Sequence, residues 1–389
     1  MARKSLQEST GMPSRVRFAD RLQAANQKKF GKDRVSLDGL SEIRDYIDTR
    51  CYALNCAIGR PGIPTGRLTV IQGKESTGKT TLALQIMAEV QSKGGITIYL
   101  ECESALEASR AASLGLYTDA YVQKLGLDVE PLIILSPTHI LEAFEMIEFN
   151  IKEARVDNPD GLICIVWDSV AATPTTAEAK EENDDYASIA PGLAARQVSY
   201  GFRRLTSFLN KYQVALICLN FIKDKINSGF GGFGDNTATI AQKPLGQHAS
   251  VRIQLVNTGS VGTKKSESSG VKVLAKINKN KIAPPHREAN FSIIYATGTD
   301  NEGSMLDMAK SLGIVAGKGV SLSFGDEKFT ARKWPDVACH DAVVAALKAK
   351  VEKNTTALLG NWVPDEDDDE DDFDSGQEKF TPEDDEDDE

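Results

Sequence analysis

Eight consecutive residues carry the clearest chemical pattern in the chain. The run Gly73-Lys74-Glu75-Ser76-Thr77-Gly78-Lys79-Thr80 matches the phosphate-binding P-loop, which is Gly, four residues, Gly, Lys and Ser or Thr. Its glycines let backbone N–H groups turn towards a polyphosphate, and a following helix adds partial positive charge. We therefore expect Gly73 to Thr81 to bind a nucleotide, with Lys79 at the β- and γ-phosphates and the Thr80 hydroxyl on Mg²⁺.

The residues around this motif predict the elements that would position it. Residues 67–72 are apolar and β-branched, typical of a buried strand, and residues 81–90 have helical apolar spacing. Further apolar strands, separated by predicted helices, follow at 96–100, 132–135, 162–167 and 214–220. This alternation predicts an α/β fold with a mainly parallel sheet covered on both faces, and ligands of such sheets gather at the carboxyl ends of the strands.

Carboxylates stand at two of these strand ends. Asp168 closes the apolar run 162–167 and could hold Mg²⁺ through water, although a strand-end Asp is also common without a metal. Glu101 and Glu103 close the strand after the P-loop helix, where a carboxylate could orient or deprotonate an attacking water. Strand alternation puts Glu101 and Glu103 on the same side of the strand, so their spacing does not show which of them acts on the water.

A basic cluster follows at a later strand end, with Lys276, Lys279 and Lys281. Such a cluster is either a solvated edge or a group that stabilises a γ-phosphate, including one across a subunit boundary.

Composition limits the remaining possibilities. The six cysteines form no C-x-x-C pair and the four histidines show no metal-ligand spacing, so we expect reduced thiols rather than zinc or disulfides. The sequence has neither a secretory signal nor an apolar run of ~18 residues, so we expect no membrane association and a cytoplasmic protein.

Charge and pattern divide the chain into four parts. We expect an N-terminal arm at 1–35, an ATPase-like core at 36–300, a small α+β unit at 301–360 and an acidic tail at 361–389. Residues 365–389 carry 17 acidic residues and one lysine, so the other residues have a net charge of +5 within a total of −11. The tail is either solvated disorder or a polyanion that competes with nucleic acid or docks other proteins.

Over about residues 20–350 the chain resembles the bacterial RecA-type strand-exchange recombinases. Several motifs carry the resemblance, in matching order and approximate spacing: the P-loop continued to Leu82, Glu101-Cys102-Glu103-Ser104-Ala105-Leu106, Val166-Trp167-Asp168-Ser169-Val170-Ala171-Ala172, Gly192-Leu193-Ala194-Ala195-Arg196, Lys279-Asn280-Lys281-Ile282-Ala283-Pro284 and Lys28-Lys29-Phe30-Gly31-Lys32.

This resemblance implies a RecA-like P-loop NTPase core that uses ATP and Mg²⁺ and forms a helical filament on single-stranded DNA. It implies Glu103 as the catalytic glutamate, Tyr295 near the adenine, and Lys279 and Lys281 at the nucleotide of the neighbouring protomer. The N-terminal helix would pack on that neighbour, and the unit at 301–360 would bind duplex DNA. Single-strand-binding or loader proteins would meet the tail.

The resemblance also implies two DNA-binding loops, at residues 173–190 and 221–243. The residues that match DNA contacts in and beside these loops are Arg196, Arg203, Lys223, Lys225, Ile226 and Phe230.

The sequence departs from the family pattern where ATP gates DNA binding. Phe221 replaces a Gln that senses the γ-phosphate, and Ala241-Gln242 replaces Gly-Gly. Gln247 and Arg110 stand where the family has aromatics. Such divergence suits a phage-encoded relative in a host cytoplasm. Two other functions stay open, a hexameric DNA motor such as a helicase and a DNA-binding scaffold with an uncoupled ATPase.

Overall fold

The structure is a computed structural model that describes residues 18–30, 42–179, 192–224, 237–238, 242–262, 268–318 and 321–360. The strands are β1 (Tyr46–Ile47), β2 (Ile63–Pro64), β3 (Leu68–Gly73), β4 (Ile96–Glu101), β5 (Ile133–Leu135), β6 (Ile163–Asp168), β7 (Ala215–Phe221), β8 (Lys223–Asp224), β9 (Thr237–Ala238), β10 (Val251–Val261), β11 (Gly270–Asn280), β12 (Glu288–Ile294), β13 (Gly298–Thr299), β14 (Ala316–Lys318), β15 (Ser321–Phe324) and β16 (Glu327–Thr330).

The helices are α1 (Phe18–Phe30), α2 (Tyr52–Ile58), α3 (Lys79–Ser92), α4 (Ala108–Ser113), α5 (Asp119–Leu125), α6 (Ile140–Asp157), α7 (Leu193–Tyr212), α8 (Gln242–His248), α9 (Asn301–Ser311) and α10 (His340–Gly360), with a 3₁₀ turn at Ala331–Lys333. In the described part of the chain, none of the helices is both long enough and apolar enough to cross a membrane.

A nine-stranded sheet organises the chain, in the order β13-β12-β11-β10-β3-β7-β6-β4-β5. Neighbouring strands from β10 to β5 run parallel, whereas β10 to β13 pair antiparallel. One hydrophobic cluster joins the sheet to α2 and α3, and a second joins the opposite face to α6 and α7. The predicted mainly parallel sheet with helices on both faces is therefore confirmed, and burial on both sides explains its continuous apolar strands.

The strand register brings the predicted polar residues to one edge of this sheet. Gly73 pairs with Phe221 where β3 and β7 end, and Glu101 pairs with Asp168 where β4 and β6 end. The cysteines within the predicted strands, Cys164 and Cys218, are fully buried, and all six thiols are free.

The region after β13 has its own hydrophobic cluster, in which Leu306, Leu322, Phe329, Trp334 and Val343 are buried. Its three antiparallel strands, β14 to β16, lie between α9 and α10. The division at 35, 300 and 360 stays a prediction. Residues 1–17 and the acidic tail at 361–389 lie outside the described residues.

Candidate nucleotide-binding site

The P-loop connects β3 to α3 with a backbone that requires its two glycines. A Cβ on Gly73 would lie 2.7 Å from the Leu255 carbonyl oxygen, and a Cβ on Gly78 would overlap the side chain of Ile293. Gly78 also has a positive φ of 86° and serves as the N-cap of α3. The loop therefore keeps the open backbone cradle at a helix N-terminus that fits a polyphosphate.

Lys79 is almost completely buried in this loop, with 6% of its surface exposed. Its Nζ donates to the carbonyl oxygens of Gly73 at 3.1 Å and Lys74 at 2.8 Å. Burial lowers the pKa of Lys79, and the charges of Asp168, Glu103 and Glu75 oppose that shift. A phosphate bound in the loop would favour the charged ammonium further.

Asp168 lies beside Thr80 at the end of β6. Its Oδ2 accepts hydrogen bonds from Thr80 Oγ1 at 2.8 Å and from the Tyr99 hydroxyl at 2.6 Å. Burial raises the pKa of Asp168, and these two hydrogen bonds oppose the increase. Burial and then the Asp168 charge raise the pKa of Tyr99, so this phenol stays neutral and donates.

The oxygen atoms of Thr80 and Asp168 fit a Mg²⁺ site in which water and phosphate supply the other ligands, because Mg²⁺ is rarely held by protein side chains alone. Among the described residues, no group of three or more His, Cys, Asp or Glu could hold a metal ion.

The two glutamates that follow the P-loop helix have different partners. The Glu101 carboxylate accepts hydrogen bonds from the backbone N–H of Glu103, Ala105 and Leu106, at 3.1, 3.3 and 3.1 Å. Glu103 is exposed, and its Oε1 accepts from Ser169 Oγ at 2.6 Å. β4 ends at Glu101, so strand alternation does not reach Glu103. Glu101 fixes the local turn, whereas Glu103 faces the residue after Asp168 and can reach a water molecule.

Arg110 donates from Nη2 to Thr81 Oγ1 at 3.1 Å, and burial lowers the pKa of this guanidinium. Tyr295 is 50% exposed and lies two residues after Ile293, whose side chain leaves no room for a Cβ on Gly78.

Lys279 and Lys281 lie at the opposite end of β3 from the P-loop. Lys279 pairs in register with Arg252, which pairs with Val70 near the start of β3, and the Lys281 N–H bonds the Ser250 carbonyl. The P-loop begins at Gly73, roughly 10 Å further along at the usual rise of a strand. In the described part of the chain, no hydrogen bond or ion pair joins either lysine to the P-loop.

These lysines belong to a cluster of basic residues that we call the basic face: Arg203, His248, Arg252, Lys279 and Lys281. Lys279 Nζ donates to the carbonyl oxygens of Gly246 at 2.7 Å and Gln247 at 2.9 Å. Burial lowers the pKa of Lys279, and the Lys281 and Arg252 charges add to the shift. Burial and three neighbouring cations likewise lower the pKa of His248. Like charges held this close favour an added anion.

The predicted DNA-contacting residues are described only in part. Arg196 and Arg203 are exposed on α7, and Lys223 begins β8. Lys225, Ile226 and Phe230 lie outside the described residues, as does most of the loop at 221–243.

Three contacts at the site have no sequence prediction behind them, namely those of Tyr99, Ser169 and Phe221. Tyr99 donates a hydrogen bond to Asp168, and Ser169 donates one to Glu103. The Phe221 ring centroid lies 4.3 Å from Lys79 Nζ. A phenol inside an otherwise apolar strand that ends in Glu101 was the available signal for Tyr99. The other two contacts depend on strand register, which the sequence does not display.

The sheet and the P-loop site define a nucleotide-binding α/β protein. Residues 20–300 match the RecA N-terminal domain family. Protein RecA of Wolinella succinogenes is 38% identical over 305 residues, which cover 77% of this chain and 80% of that protein. Protein RecA of Helicobacter pylori strain P12 is 35% identical over 77% of this chain and 81% of that protein, and that of Symbiobacterium thermophilum is 32% identical over 88% and 93%. This chain belongs to the RecA family, and the resemblance drawn from its motifs is confirmed.

Proposed function

We propose that this protein is a DNA-dependent ATPase that forms a filament on single-stranded DNA and promotes homologous pairing and strand exchange in recombination and repair. The observation that carries the hydrolytic part is the convergence of Lys79, Thr80, Asp168 and Glu103 at one edge of the sheet. Membership of the RecA family supports the action on DNA.

Each residue has a role that follows from its contacts. The backbone N–H groups of residues 73–81 bind the phosphates, and Lys79 binds the β- and γ-phosphates. Thr80 and Asp168 would hold Mg²⁺, the latter through water, and the ion would supply positive charge for the phosphates. Glu103, oriented by Ser169, positions a water molecule for attack on the γ-phosphate. The family resemblance, rather than a contact, is the support for placing Tyr295 near the base.

The position of the basic face supports assembly. Because Lys279 and Lys281 lie at the far end of β3 from their own P-loop, their proposed phosphate is that of a neighbouring copy. Head-to-tail contacts that do not close into a ring generate a helical filament. The arm at 1–35 would complete this contact.

The proposed DNA path uses Arg196, Arg203 and the loop residues from Lys223 to Phe230. Affinity would come mainly from phosphate contacts and fall steeply with salt. The unit at 301–360 would meet duplex DNA, and the tail would compete with DNA or meet single-strand-binding or loader proteins in the cytoplasm. Truncation after Pro364 should therefore strengthen DNA binding at low salt.

ATP hydrolysis measured with and without single-stranded DNA tests the proposal, with Lys79→Ala as the blank. Stimulation by DNA supports coupled ATP and DNA sites. If DNA does not change the rate of hydrolysis, the result would favour the alternative function, a DNA-binding scaffold with an uncoupled ATPase. The presence of Phe221 in place of the family's Gln is the observation that keeps this alternative open. Negative-stain microscopy separates the filament from a hexameric motor, because the motor would form rings.

A further inference from the structure

Phe221 contacts the ammonium group that the proposed function assigns to the nucleotide phosphates. It is the last residue of β7, and it pairs in register with Gly73, the first residue of the P-loop. This register brings its half-buried ring to the P-loop lysine, with 4.3 Å between the ring centroid and Lys79 Nζ. The distance lies well within the ~6 Å range of a cation–π contact.

The ring gives the Lys79 ammonium a third partner. A lysine ammonium has three N–H donors. Two go to the carbonyl oxygens of Gly73 and Lys74, and the ring face of Phe221 meets the same ammonium. A phosphate oxygen can therefore reach Lys79 only by replacing one of these partners.

The ring is the partner that a phosphate should replace. The Gly73 carbonyl oxygen also accepts from the Ile222 N–H at 3.2 Å, so this group is fixed between the P-loop and the residue after Phe221. A charge-assisted hydrogen bond to phosphate is stronger than a cation–π contact at a partly buried ring. A phenyl ring cannot itself hydrogen-bond a phosphate oxygen, so Phe221 offers the incoming group no compensating contact.

We propose that Phe221 is a positioning residue that holds Lys79 in a resting position, through a contact that ATP must break in order to bind. This inference rests on the proposed function, because it takes ATP as the ligand of the P-loop. Phe221 thus sets nucleotide affinity by competition: the stronger the attraction between ring and ammonium, the weaker the binding of ATP.

Graded fluorination of the ring tests this competition. Mono-, di- and trifluorophenylalanine at position 221 keep the shape of the side chain while progressively weakening its attraction for a cation. Binding of ATP with Mg²⁺ to the full chain is measured by calorimetry. We expect affinity to rise stepwise along the series, by about two- to tenfold in total. A purely structural role of the ring predicts no such graded gain.

A matched control comes from a second cation–ring pair outside the site. Lys152 Nζ lies 5.7 Å from the centroid of Phe208, on helices α6 and α7. The same fluorinated residues at position 208 should leave ATP affinity unchanged.

Two ordinary substitutions give an independent measurement. Phe221→Leu removes the π system and keeps apolar bulk, so it should tighten ATP binding. Phe221→Tyr keeps the π system and should bind ATP as the original chain does. Thermal unfolding of each variant confirms that it is folded.

The outcomes separate this inference from the proposed function. Absence of ATP binding to the unmodified chain would overturn the proposed function and this inference with it. ATP binding that stays constant, or weakens, as the ring is fluorinated would overturn the inference alone, because the ring would then be neutral or favourable to the bound state.

Discussion

The two ends of strand β3 carry opposite chemistry. At the carboxyl end, burial lowers the pKa of Lys79, and the nearby charges of Asp168, Glu103 and Glu75 from the same chain oppose that shift. At the amino end, burial and then the neighbouring cations of the basic face lower the pKa values of His248 and Lys279. Among the described residues, no carboxylate forms an ion pair with Lys279 or Lys281.

The difference indicates which part of the site a single copy can complete. The P-loop end has its donors, its acceptors and its proposed metal ligands in place. Among the described residues, no carboxylate forms an ion pair with Lys279 or Lys281 that would offset the repulsion within the basic face, and the chain's own P-loop lies too far along β3 to place a nucleotide there. A nucleotide held by a second copy would supply that negative charge, which makes the proposed active site a shared one.

The largest effect should come from the P-loop lysine. Lys79→Ala removes the buried ammonium at the phosphates and should reduce ATP hydrolysis by about 10³-fold. Lys93→Ala is the control, because Lys93 ends the same helix and forms a surface ion pair with Glu89. If both variants hydrolysed ATP equally well, the carboxyl end of β3 would not be the catalytic end.

Replacement of Glu103 should affect catalysis, whereas replacement of Glu101 should affect stability. Glu103→Gln should lower kcat about 10²-fold and leave ATP affinity unchanged, since it removes the group that orients water. Glu101→Gln should act on stability, because Glu101 holds three backbone N–H groups of the turn. Steady-state kinetics and thermal unfolding of both variants check this. A loss of kcat confined to Glu101→Gln would reverse the assignment.

A smaller effect is expected at the basic face. Arg203→Ala should weaken binding to a single-stranded oligonucleotide several-fold and reduce the slope of log K against log[salt] by about one. Lys152→Ala, on the outer helix α6, should leave the slope unchanged. An unchanged slope for Arg203→Ala would remove this residue from the DNA path.

The smallest effect concerns stability. Burial raises the pKa of Asp168 from its usual 3.8, so the ionised carboxylate destabilises the fold once the pH exceeds that value. Asp168→Asn should therefore raise the melting temperature at neutral pH by about 2 °C. The gain should shrink as the pH falls towards 3.8 and vanish below that value, where Asp168 is protonated in the unfolded chain as well. A lower melting temperature at neutral pH would contradict this electrostatic explanation.

The sequence predicted the parts of this comparison that depend on local pattern. The P-loop and Asp168 follow directly from motif and strand end, and continuous apolar strands predicted the sheet. The partners of Asp168 and Lys79 depend instead on which strands are neighbours: Tyr99 comes from β4 and Phe221 from β7. The separation of Lys279 from the P-loop likewise depends on the antiparallel pairing of β10 with β11. Pairing between strands far apart in the chain leaves no local signal.

Mixing two inactive variants tests most directly whether the site is shared between copies. The Lys79→Ala variant lacks the P-loop ammonium, and the double variant Lys279→Ala with Lys281→Ala lacks the proposed phosphate contacts of the basic face. Each should hydrolyse little ATP alone on single-stranded DNA. An equal mixture should recover up to about a quarter of the original activity, because that share of head-to-tail interfaces joins an intact P-loop to an intact basic face. No recovery, although both variants are folded and enter the same filament, would contradict a site divided between two copies.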